Sequence, residues 1–270
     1  MFLSTPASIE KPPVRIVSLV PSQTELLYYL QLDKETVGIT KFCIHPTDWF
    51  KNKIRVGGTK TVDLNKVRDL RPDLIIANKE ENVQEQVQLL ADLYPVWLTN
   101  VDNLQDAQEM ITDIGQLTNR PLQAATLVNL IHEKFLQLHG DKSAASIGNG
   151  NSTNPLKVCY LIWKDPYMTV GSDTFINDML EKAGFQNAFA AASRYPAVSL
   201  QEIQASNCDV VMLSSEPYPF KDKHIQELES ELPGKKVVLV DGEMFSWYGS
   251  RLLLAADYFQ NLRRQFSQKQ

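Results

Sequence analysis

An internal repeat constrains this chain more than any other feature. Residues 62–80 read Val-Asp-Leu-Asn-Lys-Val-Arg-Asp-Leu-Arg-Pro-Asp-Leu-Ile-Ile-Ala-Asn-Lys-Glu, and residues 198–216 read Val-Ser-Leu-Gln-Glu-Ile-Gln-Ala-Ser-Asn-Cys-Asp-Val-Val-Met-Leu-Ser-Ser-Glu. Val62 and Val198 lie 136 positions apart, as do Glu80 and Glu216. Each copy predicts a short amphipathic helix, an Asp (Asp73 or Asp209), an apolar strand and a polar loop ending in Glu. A second echo pairs Ser22-Gln23-Thr24 with Ser172-Asp173-Thr174, each ahead of an apolar helical run, and a third pairs residues 95–98 with 237–240. Three echoes in one order mean that one α/β unit occurs twice, and such a repeat sets the fold before local preference does.

The stretch between the copies predicts one long helix, from Asn119 as N-cap through Pro121 in the first turn to about His139. Leu122, Ala125, Val128, Leu130, Ile131, Phe135 and Leu138 recur near the helical period. About 20 residues of helix span about 30 Å, the width of a small domain. The chain therefore divides into an N-terminal α/β lobe at 14–118, a connecting helix at 119–139, a flexible Gly-, Asn- and Ser-rich loop at 140–155, and a C-terminal α/β lobe at 156–270. Strands alternating with helices predict a parallel sheet in each lobe. In the first half, strands are expected at 15–20, 37–40, 74–77 and 96–99, with helices at 64–70, 83–93 and 104–117. Ser22 and Glu25 read as a capping box opening a helix that runs to about Leu32. Residues 1–13 read as a loose lead-in, 41–49 as a loop and 57–60 as a turn. In the second half, strands are expected at 157–163, 168–170, 210–213 and 236–240, and helices at 175–183, 200–205, 222–231 and 250–266, with loops at 185–197 and 241–249.

A net charge of −5 argues against a nucleic-acid partner, which needs a basic face. No run of 18 apolar residues is present, so no membrane span is expected. The first residues, Met-Phe-Leu-Ser-Thr-Pro-Ala-Ser-Ile-Glu-Lys, lack the charged and apolar regions of a secretory signal, which leaves the cytoplasm open as a location. The three cysteines, Cys43, Cys159 and Cys208, are widely spaced and read as free thiols.

Ligands of parallel α/β sheets bind outside the carboxyl ends of the strands. The first half places Pro21, Ser22, Phe42, His45, Gly58, Asn78, Lys79, Glu80 and Glu81 there; the second places Trp163, Tyr167, Arg194, Tyr195, Ser214, Glu216, Tyr218, Phe245, Ser246, Trp247 and Tyr248. The second set is rich in aromatics, which suits a flat or bulky organic ligand in a cleft, although any one of them also suits a plug in the lobe surface. The ligand-binding set is Pro21, Ser22, Phe42, Gly58, Asn78, Lys79, Trp163, Tyr167, Arg194, Tyr195, Phe245 and Trp247. No catalytic set emerges. Cys43-x-His45 sits on one loop without a third partner, and residues 57–60 lack phosphate-loop spacing. Four scattered histidines give no metal site, and no cofactor is expected. Glu80, Glu81 and Glu216 lie in matching loops, read either as solvated carboxylates or as paired docking points for a basic partner.

From about Val14 to Arg264 the sequence resembles the ABC-transporter substrate-binding proteins with a helical backbone, of the cobalamin and iron-siderophore type, and most nearly the vitamin B12-binding branch. The motifs that carry the resemblance are Arg15-Ile-Val-Ser-Leu-Val-Pro-Ser-Gln-Thr-Glu25, Arg71-Pro-Asp-Leu-Ile-Ile-Ala-Asn78, Leu213-Ser-Ser-Glu-Pro-Tyr-Pro-Phe220 and Asp241-Gly-Glu-Met-Phe-Ser-Trp-Tyr-Gly-Ser-Arg251. It implies two Rossmann-like lobes bridged by one long helix, a corrinoid or other metal chelate in the cleft, no catalysis, and a periplasmic or extracytoplasmic location. It also implies a monomer that docks on an ABC permease dimer through a glutamate on each lobe: Glu80, Glu81 or Glu85 in the first and Glu216 in the second. The alternative is a cytoplasmic small-molecule sensor or enzyme on the same scaffold, for which the loop bearing Lys41, Cys43, His45 and Lys79 is the candidate.

Overall fold

The computed structural model describes residues 1–140 and 155–267, so most of the loop expected at 140–155 lies outside the described residues. The chain forms two compact units. The first comprises Met1–Val101, Gln105–Leu130 and Trp247–Arg251, and the second Asp102–Leu104, Ile131–Ser246 and Leu252–Gln270.

The first unit holds a five-stranded parallel sheet of β1 (Ile16–Ser18), β2 (Thr36–Ile39), β3 (Ile54–Arg55), β4 (Leu74–Asn78) and β5 (Val96–Thr99), in the order β3-β2-β1-β4-β5. Its helices are α1 (Pro21–Tyr29), α2 (Thr47–Asn52), α3 (Leu64–Leu70), α4 (Gln84–Ala91) and α5 (Leu104–Leu117). The second unit holds a four-stranded parallel sheet of β6 (Lys157–Leu161), β7 (Gln186–Asn187), β8 (Val210–Ser214) and β9 (Lys236–Val240), in the order β7-β6-β8-β9. It carries α7 (Phe175–Lys182), α8 (Leu200–Ala205), α9 (Asp222–Glu231), α10 (Glu243–Ser246) and α11 (Leu252–Ser267). The long helix α6 (Pro121–Gly140) runs from the first unit into the second, changing unit between Leu130 and Ile131. β4 and β8 are buried along their whole length, as strands covered on both faces by helices must be.

The repeat seen in the sequence is a repeat of structure. β4 and β8 begin 136 residues apart, as do α3 and α8. Asp73 accepts hydrogen bonds from the Val14 and Arg15 amides at 2.9 and 2.8 Å, and Asp209 accepts one from the Lys157 amide at 2.8 Å. Each Asp thus fastens the entry of the neighbouring strand. Arg71 and Asn207, also equivalent, turn the chain out of the preceding helix in the left-handed region, at φ 45° and 52°.

Several local expectations need correction. Asn119 does not cap α6; it ends α5. At φ 56° it donates to the Gln116 carbonyl at 3.2 Å while Arg120 donates to the Gly115 carbonyl at 2.7 Å, the paired bonds of a Schellman ending. Asn tolerates the left-handed region better than other residues bearing a side chain, which is why one residue type suits either role. The buried stripe of α6 is Ala124, Leu127, Ile131, Phe135 and Leu138, while Leu122, Ala125 and Leu130 are exposed. Ser22 caps nothing: α1 begins at Pro21, and the Glu25 carboxylate is drawn instead to Arg251. The expected loop at 41–49 contains the start of α2, whose Trp49 is buried against Tyr28 with ring centroids 5.4 Å apart. The lead-in is fixed at its start, where the Leu3 amide donates to the Val96 carbonyl at 2.9 Å and Phe2 bridges to Val96. The strand expected at 168–170 reduces to single bridges at Met168, and the loops at 185–197 and 241–249 contain β7 and α10.

Candidate functional site

Both sheets reverse strand order beside their first strand, at β1/β4 in one and β6/β8 in the other, and such switch points open a crevice at the carboxyl ends. In the first unit this edge is assembled from a dense polar network. Asn78, the last residue of β4, is 2% exposed. Its amide nitrogen donates to Thr99 Oγ1 at 3.1 Å, and its Oδ1 accepts from the Glu80 and Glu81 amides at 2.8 and 3.2 Å. Asn82 in turn donates to the Leu19 and Thr59 carbonyls at 3.2 and 3.1 Å, so β1, β4 and the turn at 57–61 are tied together. Asn78 therefore shapes the loop, with its amide engaged by Thr99 and by the Glu80 and Glu81 backbone. Pro21 and Ser22 are buried in the first turn of α1.

What the first unit exposes is the loop after β2. Phe42 is 50% and Ile44 43% exposed, while Cys43 between them is fully buried. The Cys43 thiol accepts from Thr24 Oγ1 at 3.1 Å and lies 3.2 Å from the Thr40 hydroxyl. Burial pushes this thiol up, the opposite of what a thiolate nucleophile needs. The His45 imidazole packs edge-on against Trp247, with centroids 5.5 Å apart. Gly58 makes room for the loop: a Cβ there would stand 3.2 Å from both the Phe42 ring and the Lys41 stem. The Lys41 ammonium lies 5.1 Å from the centroid of the Phe42 ring, and Lys79 is exposed at the end of β4. Glu80 and Glu81 are half-buried and Glu85 is exposed in the first turn of α4. Burial pushes the Glu81 carboxyl up, opposed by Lys60 and reinforced by Glu80.

In the second unit Trp163 follows β6 and is 41% exposed, its ring edge-on to Tyr218 with centroids 5.7 Å apart. Tyr218 is backed by Phe220 at 4.7 Å and by His224 at 5.7 Å. His224 Nδ1 accepts from the Lys221 amide at 2.8 Å, and burial lowers its pKa. Tyr167 is half-buried against the core, and its phenol is pushed up by burial. Arg194 is exposed, at φ 56°, with its guanidinium 5.6 Å from the half-buried Tyr195 ring and 3.9 Å from the Asp102 carboxylate. Glu216 accepts from Ser246 Oγ at 2.5 Å. Phe245 is a core residue and not part of the exposed edge: it is fully buried, with Tyr160 at 5.1 Å and Phe259 at 4.7 Å. Trp247, expected with the second lobe, packs within the first unit and is 6% exposed.

The ligand-binding set expected from the sequence leaves out Ile44, Arg251 and Tyr218, the last although it stands among the residues expected at the carboxyl edge. Tyr218 carried a signal, since it lies in the loop after β8, but Arg251 shows its role only through a partner 226 residues away. Among the described residues no three His, Cys, Asp or Glu side chains converge as a metal ion requires. Among them, too, no helix is long and apolar enough to cross a membrane.

Two parallel α/β units, one long helix leading from the first into the second, and exposed aromatics on the loops after β2 and β6 are what the described residues present. The family model described as "Periplasmic binding protein" matches residues 16–234, and the chain belongs to that family. The "Vitamin B12-binding protein" of Pectobacterium carotovorum subsp. carotovorum (strain PC1) is 23% identical over 246 residues, 90% of this chain and 86% of that one. The "Uncharacterized ABC transporter substrate-binding lipoprotein YvrC" of Bacillus subtilis (strain 168) is 27% identical over 257 residues, 91% of this chain and 78% of that one. Among solved structures, the periplasmic vitamin B12 binding protein BtuF of Vibrio cholerae superposes with a TM-score of 0.78 at 20% identity, covering 96% of this chain and 99% of that chain.

Proposed function

We propose that this protein is the substrate-binding component of an ABC importer, and that it carries a corrinoid or another metal chelate at the loops on the carboxyl edges of its sheets. One observation carries this reading: the carboxyl edge of each sheet presents a half-exposed aromatic side chain, Phe42 after β2 in the first unit and Trp163 after β6 in the second. Large apolar rings held at a polar edge recover the most free energy from a flat, conjugated partner. The relative named for vitamin B12 supports a corrinoid as the first ligand to test. An extracytoplasmic location and delivery to a permease dimer belong to the same reading, and the lipoprotein relative supports them.

The test is isothermal titration of the purified protein with cyanocobalamin, a panel of ferric siderophores, and haem. One-to-one binding with a dissociation constant between nanomolar and micromolar is expected for one chelate. Trp163→Ala should weaken it ~10-fold, the loss of one aromatic stacking contact. Absence of binding to every chelate removes the reading.

A further inference from the structure

Four side chains form a line in the first unit: Glu25, Arg251, Trp247 and His45. At its deep end, the Glu25 carboxylate accepts from Arg251 Nε at 2.9 Å and from Nη2 at 2.7 Å. The Arg251 side chain is only 8% exposed and that of Glu25 19%. The Arg251 guanidinium carbon stands 4.8 Å from the centroid of the Trp247 ring. The far side of the line is His45, half-buried on the loop that also carries Phe42 and Ile44. The backbone between Trp247 and Arg251 is held as well. Gly249 adopts φ 110°, and a Cβ there would lie 3.3 Å from the Ser22 carbonyl. Tyr248 beside it is buried.

Each link restricts the next. A bidentate pair fixes both the position and the plane of the guanidinium, which a lysine cannot reproduce. A planar cation against an indole is favourable at this distance and constrains where the ring can lie. The indole then sets the edge against which the imidazole packs. Glu25 and Arg251 close the first and last of the four motifs that carry the family resemblance, so the two ends of the sequence meet in this pair.

We propose that Arg251 is a positioning residue for ligand binding: clamped by Glu25, it fixes Trp247, and through Trp247 the His45 loop, at the carboxyl edge of the first sheet. The proposal rests on the ligand-binding reading above. Arg251 and Glu25 act through Trp247 and touch no ligand themselves.

The test uses the full chain labelled with 5-fluorotryptophan, whose four tryptophans are resolved by fluorine NMR, the Trp247 signal being assigned with Trp247→Phe. Glu25→Gln and Arg251→Lys should each shift or broaden the Trp247 signal while leaving those of Trp49, Trp97 and Trp163 in place. Both variants should also weaken, at least 10-fold, whichever of cyanocobalamin and haem binds the parent. A Trp247 signal unmoved in both variants overturns the proposal whether or not a chelate binds. So does unchanged chelate affinity beside a shifted signal. If Arg251→Lys fails to fold, Glu25→Gln, which keeps shape and one acceptor oxygen, decides alone. A parent that binds neither chelate leaves the ligand unidentified, and the fluorine signal still reports whether the ion pair holds the indole.

Discussion

Glu81 and Cys43 illustrate what burial does to single residues at the edge of the first sheet. Both are held in their protonated forms by burial more strongly than in the open chain, and the Glu81 charge adds to the shift of Cys43. For Glu81 the sign of the linkage is definite. Above its ordinary value of 4.5 the unfolded chain has released a proton that the folded chain retains, so stability falls as pH rises until the higher folded value is passed. Glu81→Gln removes that loss. The variant should be more stable than the parent at pH 8, with a flatter dependence on pH between 5 and 8, as read by thermal unfolding; parallel profiles would contradict this. The same enclosure explains why residue roles were only partly legible. Phe42, Gly58 and Trp163 lie where loop position suggested. Asn78 and Phe245 were expected at equally well-placed positions, yet Asn78 ends β4 with its amide spent on Thr99 and the Glu80 backbone, and Phe245 lies in α10 and fills the core. Nothing in a single sequence separates an aromatic at the end of a strand from one turned beneath it.

At the scale of elements, segments with a clear apolar pattern were read closely whatever their length, and segments held by one tertiary anchor were not. The spans of α3, α5, α8, α9, β5 and β9 match their expected bounds. The helices α2 and α10 carry no apolar period of their own, and their anchors are tertiary: Trp49 in one, Phe245 in the other. Gly115 is a feature that propensity alone misjudges. It lies inside α5, where glycine costs ~1 kcal/mol relative to alanine. A Cβ on Gly115 would, however, stand 2.3 Å from Ala124 Cβ, so the glycine is what lets the end of α5 approach the start of α6. Gly115→Ala should therefore destabilise the protein by ~1–3 kcal/mol, the usual cost of overpacking, despite its better helix propensity. A melting temperature at or above that of the parent would show that α6 yields without cost.

For the whole molecule, the duplication was legible because it is written in both pattern and spacing, and the structure repeats even its turn residues. What escaped is the return of Trp247–Arg251 to the first unit, because an ion pair between residues 25 and 251 has no local signature. The repeat also narrows the question of how such a protein would meet a two-fold transporter. Glu80 and Glu216 are equivalent by the shift of 136, and their amides are held by equivalent residues, Asn78 Oδ1 at 2.8 Å and Ser214 Oγ at 3.4 Å. Glu81 is a poorer docking point, since burial favours its neutral form, while Glu85 is exposed but has no counterpart in the second copy. Equivalent acids presented once per unit suit a partner that offers the same basic group twice. In proteoliposomes holding the cognate permease and its ATPase, Glu80→Lys combined with Glu216→Lys should abolish stimulation of ATP hydrolysis while chelate affinity and melting temperature stay near those of the parent. Loss of stimulation with Glu85→Lys alone, and retention in the double variant, would move the first docking point onto α4. Stimulation unaffected by all three substitutions would remove acidic docking altogether and leave the repeat as a consequence of folding two similar units.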